Sequence, residues 1–252
     1  MWRGDLDDLD GLRAAADNAD AVVHLGNKHD WSDPAETIRS ERAAVTALAD
    51  TLAGSDRPLL LASVLSGLVH DRPAEETDPS PAVGPDSPRG GSENLALAYA
   101  DKGVRVIAAR FAPSVHGPGD TGFLANLVAA ARTHHRSAYL GAGTTAWSAV
   151  HRGDAATLIR LALDQAPPAT ILHVVAEQAV TTRDIAEAIG TRLDLPIASI
   201  PADNAATHFG FVGRFLAQDM SAANTHTRRL LSWNPTGPTL LDDIRSGAYD
   251  HA

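Results

Sequence analysis

An imidazole can give or accept a proton near neutral pH, and four histidines, His24, His29, His116 and His151, fall at or near predicted strand ends. His24 lies inside an apolar strand pattern and is expected to pack in the core. His116 and His151 read equally as proton donors or as structural residues. The chain has only two lysines, Lys28 and Lys102. Lys28 sits in Gly26-Asn27-Lys28-His29-Asp30-Trp31, just past a predicted strand, where ligands bind in open parallel sheets; the other reading is a surface lysine. Ser63 closes the next predicted strand, with Ser66 as an alternative register, and by itself is a hydroxyl able to satisfy a backbone group. Tyr99 and Lys102 read as a solvated helix end. His134 and His135 are sequence neighbours that do not converge, and no carboxylate follows at ligand spacing, so no metal site is expected.

Composition bounds what these groups can serve. The 252 residues are 44% hydrophobic, enough for one domain or one domain with a small lobe. Lysine and arginine number 21 against 31 acidic residues, a formal charge of −10, which argues against nucleic acid and against anionic membranes as partners. A small-molecule substrate is the expected partner. The absence of cysteine excludes disulfides, thiolate metal sites and cysteine nucleophiles. The N-terminus is acidic and no apolar run approaches the roughly 18 residues of a membrane span, so a cytoplasmic location is the default expectation.

Helix and strand patterns alternate along the chain. A helical face of Leu9, Leu12, Ala15 and Ala16 precedes an apolar strand over 20–25. Asp33, Pro34 and Glu36 supply an N-cap, a first-turn proline and a capping-box acid for a helix carrying Ile38, Val45, Leu48 and Leu52 on one face. A strand is expected over 58–63, a proline-rich loop over 70–91, a helix over 92–102 and a strand over 104–111. Further helices are expected over 123–132, 154–163 and 182–189, with strands over 138–140 and 171–175. The helix-then-strand order implies an α/β fold with a doubly wound parallel sheet. Residues 1–112 form its nucleotide-binding part; 113–252 complete the sheet at about 150–180 and supply a smaller lobe, where Trp147 and His208-Phe209-Gly210-Phe211 line a substrate pocket or form ordinary core.

Gly4-Asp5-Leu6, Val22-Val-His-Leu25, the strand ending at Ser63, Ser92-Glu93, Arg110-Phe-Ala-Pro-Ser-Val-His-Gly-Pro-Gly-Asp120 and Val150-His-Arg-Gly-Asp154 occur in that order. Together they resemble the extended short-chain dehydrogenase/reductase family, of the NAD-dependent epimerase/dehydratase type. The resemblance implies a Rossmann-like fold and NAD or NADP as cofactor. It places Asp5 and Leu6 beside the adenine, Leu25 and Gly26 beside a cofactor ribose, and the Pro113-Ser114-Val115 loop against the nicotinamide. It also makes Ser63 the residue that orients a substrate oxygen.

The departures are equally specific. The family's glycine-rich turn is absent, and Gly117-Pro-Gly119 and Gly141-Ala-Gly143 lack the strand and helix that would make one. With Ser92 aligned to the family serine, Arg89 stands at the position of the proton-donating tyrosine and Glu93 at that of the lysine. His116 replaces the usual tyrosine of the Arg110–Asp120 segment. Proton transfer would then fall to His116, His151 or Lys28.

Three classes of function follow: an atypical NAD(P)-linked oxidoreductase or epimerase/dehydratase, a non-redox ligand-binding or regulatory protein on the same scaffold, or a cofactor-independent lyase or isomerase. The Arg3-Gly4-Asp5-Leu6 start reads as the interior of a fold. An N-terminally truncated sheet, weakened dinucleotide binding and pairing into a homodimer over the exposed sheet edge are the corresponding expectations.

Overall fold

The computed structural model describes residues 3–28, 30, 32–69 and 71–251. His29, Trp31 and His70, on which part of the sequence reading falls, lie outside the described residues. In chain order the first elements are α1 (Leu9–Asp17), β1 (Val22–His24), α2 (Pro34–Leu52), β2 (Pro58–Val64), α3 (Ser92–Leu97) and β3 (Arg105–Phe111). Then come β4 (Ser114–His116), α4 (Phe123–Thr133), β5 (Ser137–Leu140), β6 (Ala146–His151), α5 (Arg152–Gln165), β7 (Thr170–Val174) and β8 (Glu177–Thr181). The chain ends with α6 (Thr182–Leu193), β9 (Ile197–Ile200), α7 (Ala205–Phe209), α8 (Gly213–Leu216), α9 (Thr225–Leu231) and α10 (Leu240–Ser246).

Two compact units interleave along the chain instead of meeting at one boundary. The first comprises Met1–Ser63, Thr77–Arg110 and Arg160–Leu172; the second comprises Val64–Glu76, Phe111–Ile159 and His173–Ala252.

The first unit is organised by a sheet of order β1-β2-β3-β7. Strands β1 and β2 run parallel, with His24 opposite Leu61. Their hydrophobic runs are continuous because the sheet is covered: Leu59, Leu60 and Leu61 are fully buried, and Leu59 and Leu61 pack with Val45, Leu48 and Leu52 of α2. Asp8 caps α1 by accepting from the Gly11 amide at 2.9 Å, and Asp33 caps α2 by accepting from Glu36 at 2.9 Å. The Arg57 guanidinium donates to the carbonyls of Ala16 and Ala19, adding a side-chain donor just where α1 ends.

The helix expected over 92–102 is shorter, ending at Leu97 before a 3₁₀ turn at Ala100–Lys102. Tyr99 is not solvated. It is buried in the core, its hydroxyl donates to Asp50 at 2.6 Å, and burial together with that carboxylate pushes its pKa up to about 12. Only the Lys102 ammonium stays outside, 3.9 Å from the centre of the ring.

The second unit holds a three-stranded sheet of order β4-β6-β8 and a β5-β9 pair. Strands β4 and β6 are parallel, which sets Ser114 opposite Ala149 and His116 opposite His151. Strands β6 and β8 are antiparallel, with a register shift between Trp147 and Ala149. The core beneath them gathers Leu124, Leu127 and Val128 of α4, Ile185 and Ile189 of α6, and Leu240 and Ile244 of α10 around Trp147. Strands β6, β8 and β9 were not expected from the sequence, and Ser114–His116 is strand where a loop was expected.

Candidate functional site

In the first unit the carboxyl ends of β1 and β2 carry the predicted residues. Leu25 is 55% exposed just beyond β1 and Gly26 is also exposed. Leu6 packs against Gly26 so closely that a side chain at Gly26 would come within 3.1 Å of it. Asp5 does not cap α1, which is the work of Asp8; its carboxylate accepts from the Asp7 amide at 3.0 Å in a local turn. Lys28 is tied to Asp7 at 2.7 Å and to Glu36 at 3.3 Å. The hydrogen bond to Asp7 holds the ammonium above its ordinary pKa, and the same bond holds Asp7 below the usual carboxylate range. Lys28 is thus a cation joining the start of α1 to α2, and a raised pKa suits it poorly to proton donation at neutral pH. Glu36, whose side chain would close a capping box, pairs with Lys28 and Arg39 instead.

Ser63 lies within a buried charged network. Its hydroxyl donates to Glu93 Oε2. Arg110, with no exposed surface, holds the same carboxylate from the side, Nε reaching both oxygens at 3.2 Å and Nη2 reaching Oε1 at 2.6 Å. Arg110 Nη1 is buried with no hydrogen-bond partner. A second pair lies one helical turn back in sequence. Arg89 meets the buried Glu41 of α2 at 2.6 Å and the Ala62 carbonyl at 3.1 Å, and Asn27 donates to the other Glu41 oxygen at 2.7 Å. Arg89 reaches there from the left-handed region, φ 54°, and Gly90 follows at φ 61°, where a Cβ would lie 2.8 Å from Arg42 Cβ and 2.9 Å from the Ile38 carbonyl oxygen. Only glycine fits that approach. His24 is buried nearby; burial lowers its pKa, Arg89 acts in the same direction and Glu41 opposes.

In the second unit His116 is fully enclosed. Its Nδ1 lies 2.6 Å from Asp243 of α10, and its Nε2, with no hydrogen-bond partner, lies 3.8 Å from Glu177 of β8. A carboxylate only accepts, so Nδ1 carries the proton. The His151 ring is 5.7 Å away at 67° and is only half-buried. The Gly153 amide donates to His151 Nδ1 at 3.2 Å, which leaves Nε2 as the donor face of the neutral ring. Of the two histidines, His151 can meet a ligand and His116 fastens β4 to α10. Ser114 is buried with its hydroxyl unpartnered, while Pro113 and Val115 are half-buried. Asp154, from the Val150–Asp154 motif, accepts from the amides of Thr236 and Gly237 at 3.1 and 2.8 Å and so secures the segment before α10. Glu41, Glu177 and Asp243 were not anticipated; each becomes meaningful only through a partner distant in sequence. A cavity of about 740 Å³ opens beside Pro118, Asp120, Asn126, Gly247 and His251, and none of the predicted site residues lines it.

His134, expected to have no metal role, stacks on His208 with ring centres 4.3 Å apart. Desolvation, then His134, then Arg136 hold His208 below the ordinary histidine pKa. The folded chain therefore binds this proton less readily than the unfolded chain, whose value is about 6.5. Stability present above that pH is lost as the pH falls toward the folded value. Replacing His208 with glutamine is expected to flatten the decline in Tm between about pH 7 and pH 5, measured by circular dichroism melts; an unchanged slope would remove His208 as a contributor.

The parallel α/β order of elements, with sheet order β1-β2-β3-β7 in the first unit, is Rossmann-like. Residues 1–174 match the NAD dependent epimerase/dehydratase family model, and the chain belongs to that family. The Saccharomyces cerevisiae protein YLL056C is 40% identical over 248 residues, covering 98% of this chain and 82% of that protein. Among solved structures, RMD from Pseudomonas aeruginosa complexed with NADPH superposes with a TM-score of 0.75 at 20% identity, covering 99% of this chain and 88% of that one. MoeE5 in complex with UDP-glucuronic acid and NAD gives 0.71 at 22% identity, covering 96% and 82%.

For the family's cofactor, NAD or NADP, the residues present divide. Exposed Leu25 and Gly26, with Leu6 beside them, fit a ribose lying past the end of β1. The nicotinamide end does not fit the family's relay: in the register set by Ser92, Arg89 and Glu93 are locked into ion pairs with Glu41 and Arg110.

Proposed function

We propose that this chain is an atypical NAD(P)-linked member of the family, of the oxidoreductase or epimerase/dehydratase kind, acting on a small organic substrate without a tyrosine-lysine relay. The observation that carries the reading is Ser63, held by Glu93 at the carboxyl end of β2, beside a parallel β1 after which Leu25 and Gly26 are exposed. Ligands of doubly wound folds bind at such strand ends. Of the histidines considered as proton donors, His151 is the one whose ring is only half-buried and presents Nε2.

Titrating the purified chain with NADH and with NADPH, following nicotinamide fluorescence, is expected to give saturable enhancement below millimolar cofactor. No change at millimolar concentrations of either would sink the cofactor assignment. It would favour the second reading, a non-redox ligand-binding protein, which the ion-paired Arg89 and Glu93 support.

A further inference from the structure

The hydrogen-bond direction at Ser63 carries a consequence for ligand chemistry. A serine hydroxyl has one proton and two lone pairs, and an ionised carboxylate has no proton to give. Glu93 is ion-paired with Arg110 through three N–O contacts, so in the Ser63–Glu93 bond the serine must be the donor. Its only proton is then directed at Glu93. No N–H or O–H of the described residues donates to Ser63 Oγ, and Ser63 keeps 8% of its surface exposed. What Ser63 can offer a ligand is a lone pair.

We propose that Ser63 is a hydrogen-bond acceptor in the ligand site and that Glu93, fixed by Arg110, is the positioning residue that makes it one, so that the site selects ligands bearing a hydroxyl or N–H over their carbonyl counterparts. This rests on the reading that Ser63 faces the substrate. A ligand hydroxyl arriving at the end of β2 donates to Ser63 and keeps its own lone pairs for other contacts. A ketone oxygen in the same place meets lone pairs and leaves a polar group unpaired, a loss large enough for about tenfold discrimination or more. In this chain the donor role of Ser63 is closed as long as Glu93 is ionised.

The test uses the intact, isotope-labelled chain and a pair of probes matched in shape, cyclohexanol and cyclohexanone, titrated separately while the amide shifts of Ser63 and Glu93 are followed. Cyclohexanol is expected to saturate these shifts at about tenfold lower concentration than cyclohexanone. Ser63→Ala keeps the Glu93–Arg110 pair and is expected to abolish the preference. Glu93→Gln frees the serine proton and is expected to narrow or reverse it; should that variant fail to fold, Ser63→Ala still decides. Equal or tighter binding of cyclohexanone by the unmodified chain, or no saturable shift with either probe, overturns the proposal. An alcohol preference without NADH or NADPH binding overturns only the cofactor reading, whereas cofactor binding without the preference overturns only this one.

Discussion

Arg110→Ala is expected to lower the unfolding free energy by about 3–5 kcal/mol, the usual consequence of stranding one member of a buried ion pair. Arg110 has no exposed surface and Glu93 is 4% exposed. Without the guanidinium, the Glu93 carboxylate stays in the core with the Ser63 hydroxyl as its remaining partner. Either it keeps its charge in a medium that solvates it poorly or it takes up a proton, and both weaken the fold. For a chain of this size each kcal/mol moves Tm by about 2–4 °C, so a fall of about 6–20 °C should appear in thermal melts. Arg110→Lys should recover only part of the loss, because an ammonium cannot reproduce the fork that meets both Glu93 oxygens. Removing both charges together, Arg110→Met with Glu93→Leu, should restore most of the stability. A fall in Tm of less than about 2 °C for Arg110→Ala would mean that the pair is hydrated in solution.

Local signals were the legible ones. Asp33 and Pro34 announced the start of α2 because a cap and a first-turn proline act within a few residues, and the structure reproduces that start. The long apolar runs of β2 and β3 were readable for the same reason, since burial on both faces leaves a continuous hydrophobic stretch. Three-residue β4 is too short for any period to declare it, and β8, Glu-Gln-Ala-Val-Thr, shows little apolar content. Tyr99 was misread because a tyrosine near a charged helix end looks solvated until its hydroxyl is found on Asp50, 49 positions away in sequence.

The site was legible by position and not by chemistry. Ser63 could be placed at a strand end, but what it does depends on Glu93 and Arg110, which lie 30 and 47 positions further along and reach it only through the fold. His116 was visible as an imidazole, while Asp243, 127 positions away, decides which of its nitrogens bears the proton. Lys28 stood out by scarcity. Its neighbours Asp7 and Glu36 turn scarcity into a surface ion-pair network, a case in which a rare residue type marks a local tie and not a reactive group.

Trp147 presented two readings, pocket wall or core, and the structure separates them through a large expected effect. Its side chain has no exposed surface, its indole N–H donates to the Phe215 carbonyl at 3.3 Å, and the Phe123 ring lies 5.5 Å away. Phe123 in turn packs on Phe215 at 4.9 Å, so one indole supports an aromatic cluster joining β6, α4 and α8. Trp147→Ala is expected to cost about 3–5 kcal/mol through lost burial and the cavity left behind, with a fall of about 6–20 °C in Tm. Trp147→Phe keeps much of the apolar volume but leaves the Phe215 carbonyl without this donor, so a smaller loss of about 1–3 kcal/mol is expected. Phe211, 41% exposed at the edge of the same cluster, should tolerate alanine with far less change. Far-UV circular dichroism melts of the three variants give the order directly. Equal sensitivity at Trp147 and Phe211 would contradict a buried anchor and return Trp147 to the role of an open pocket wall, because a ring already facing solvent leaves little apolar surface to lose.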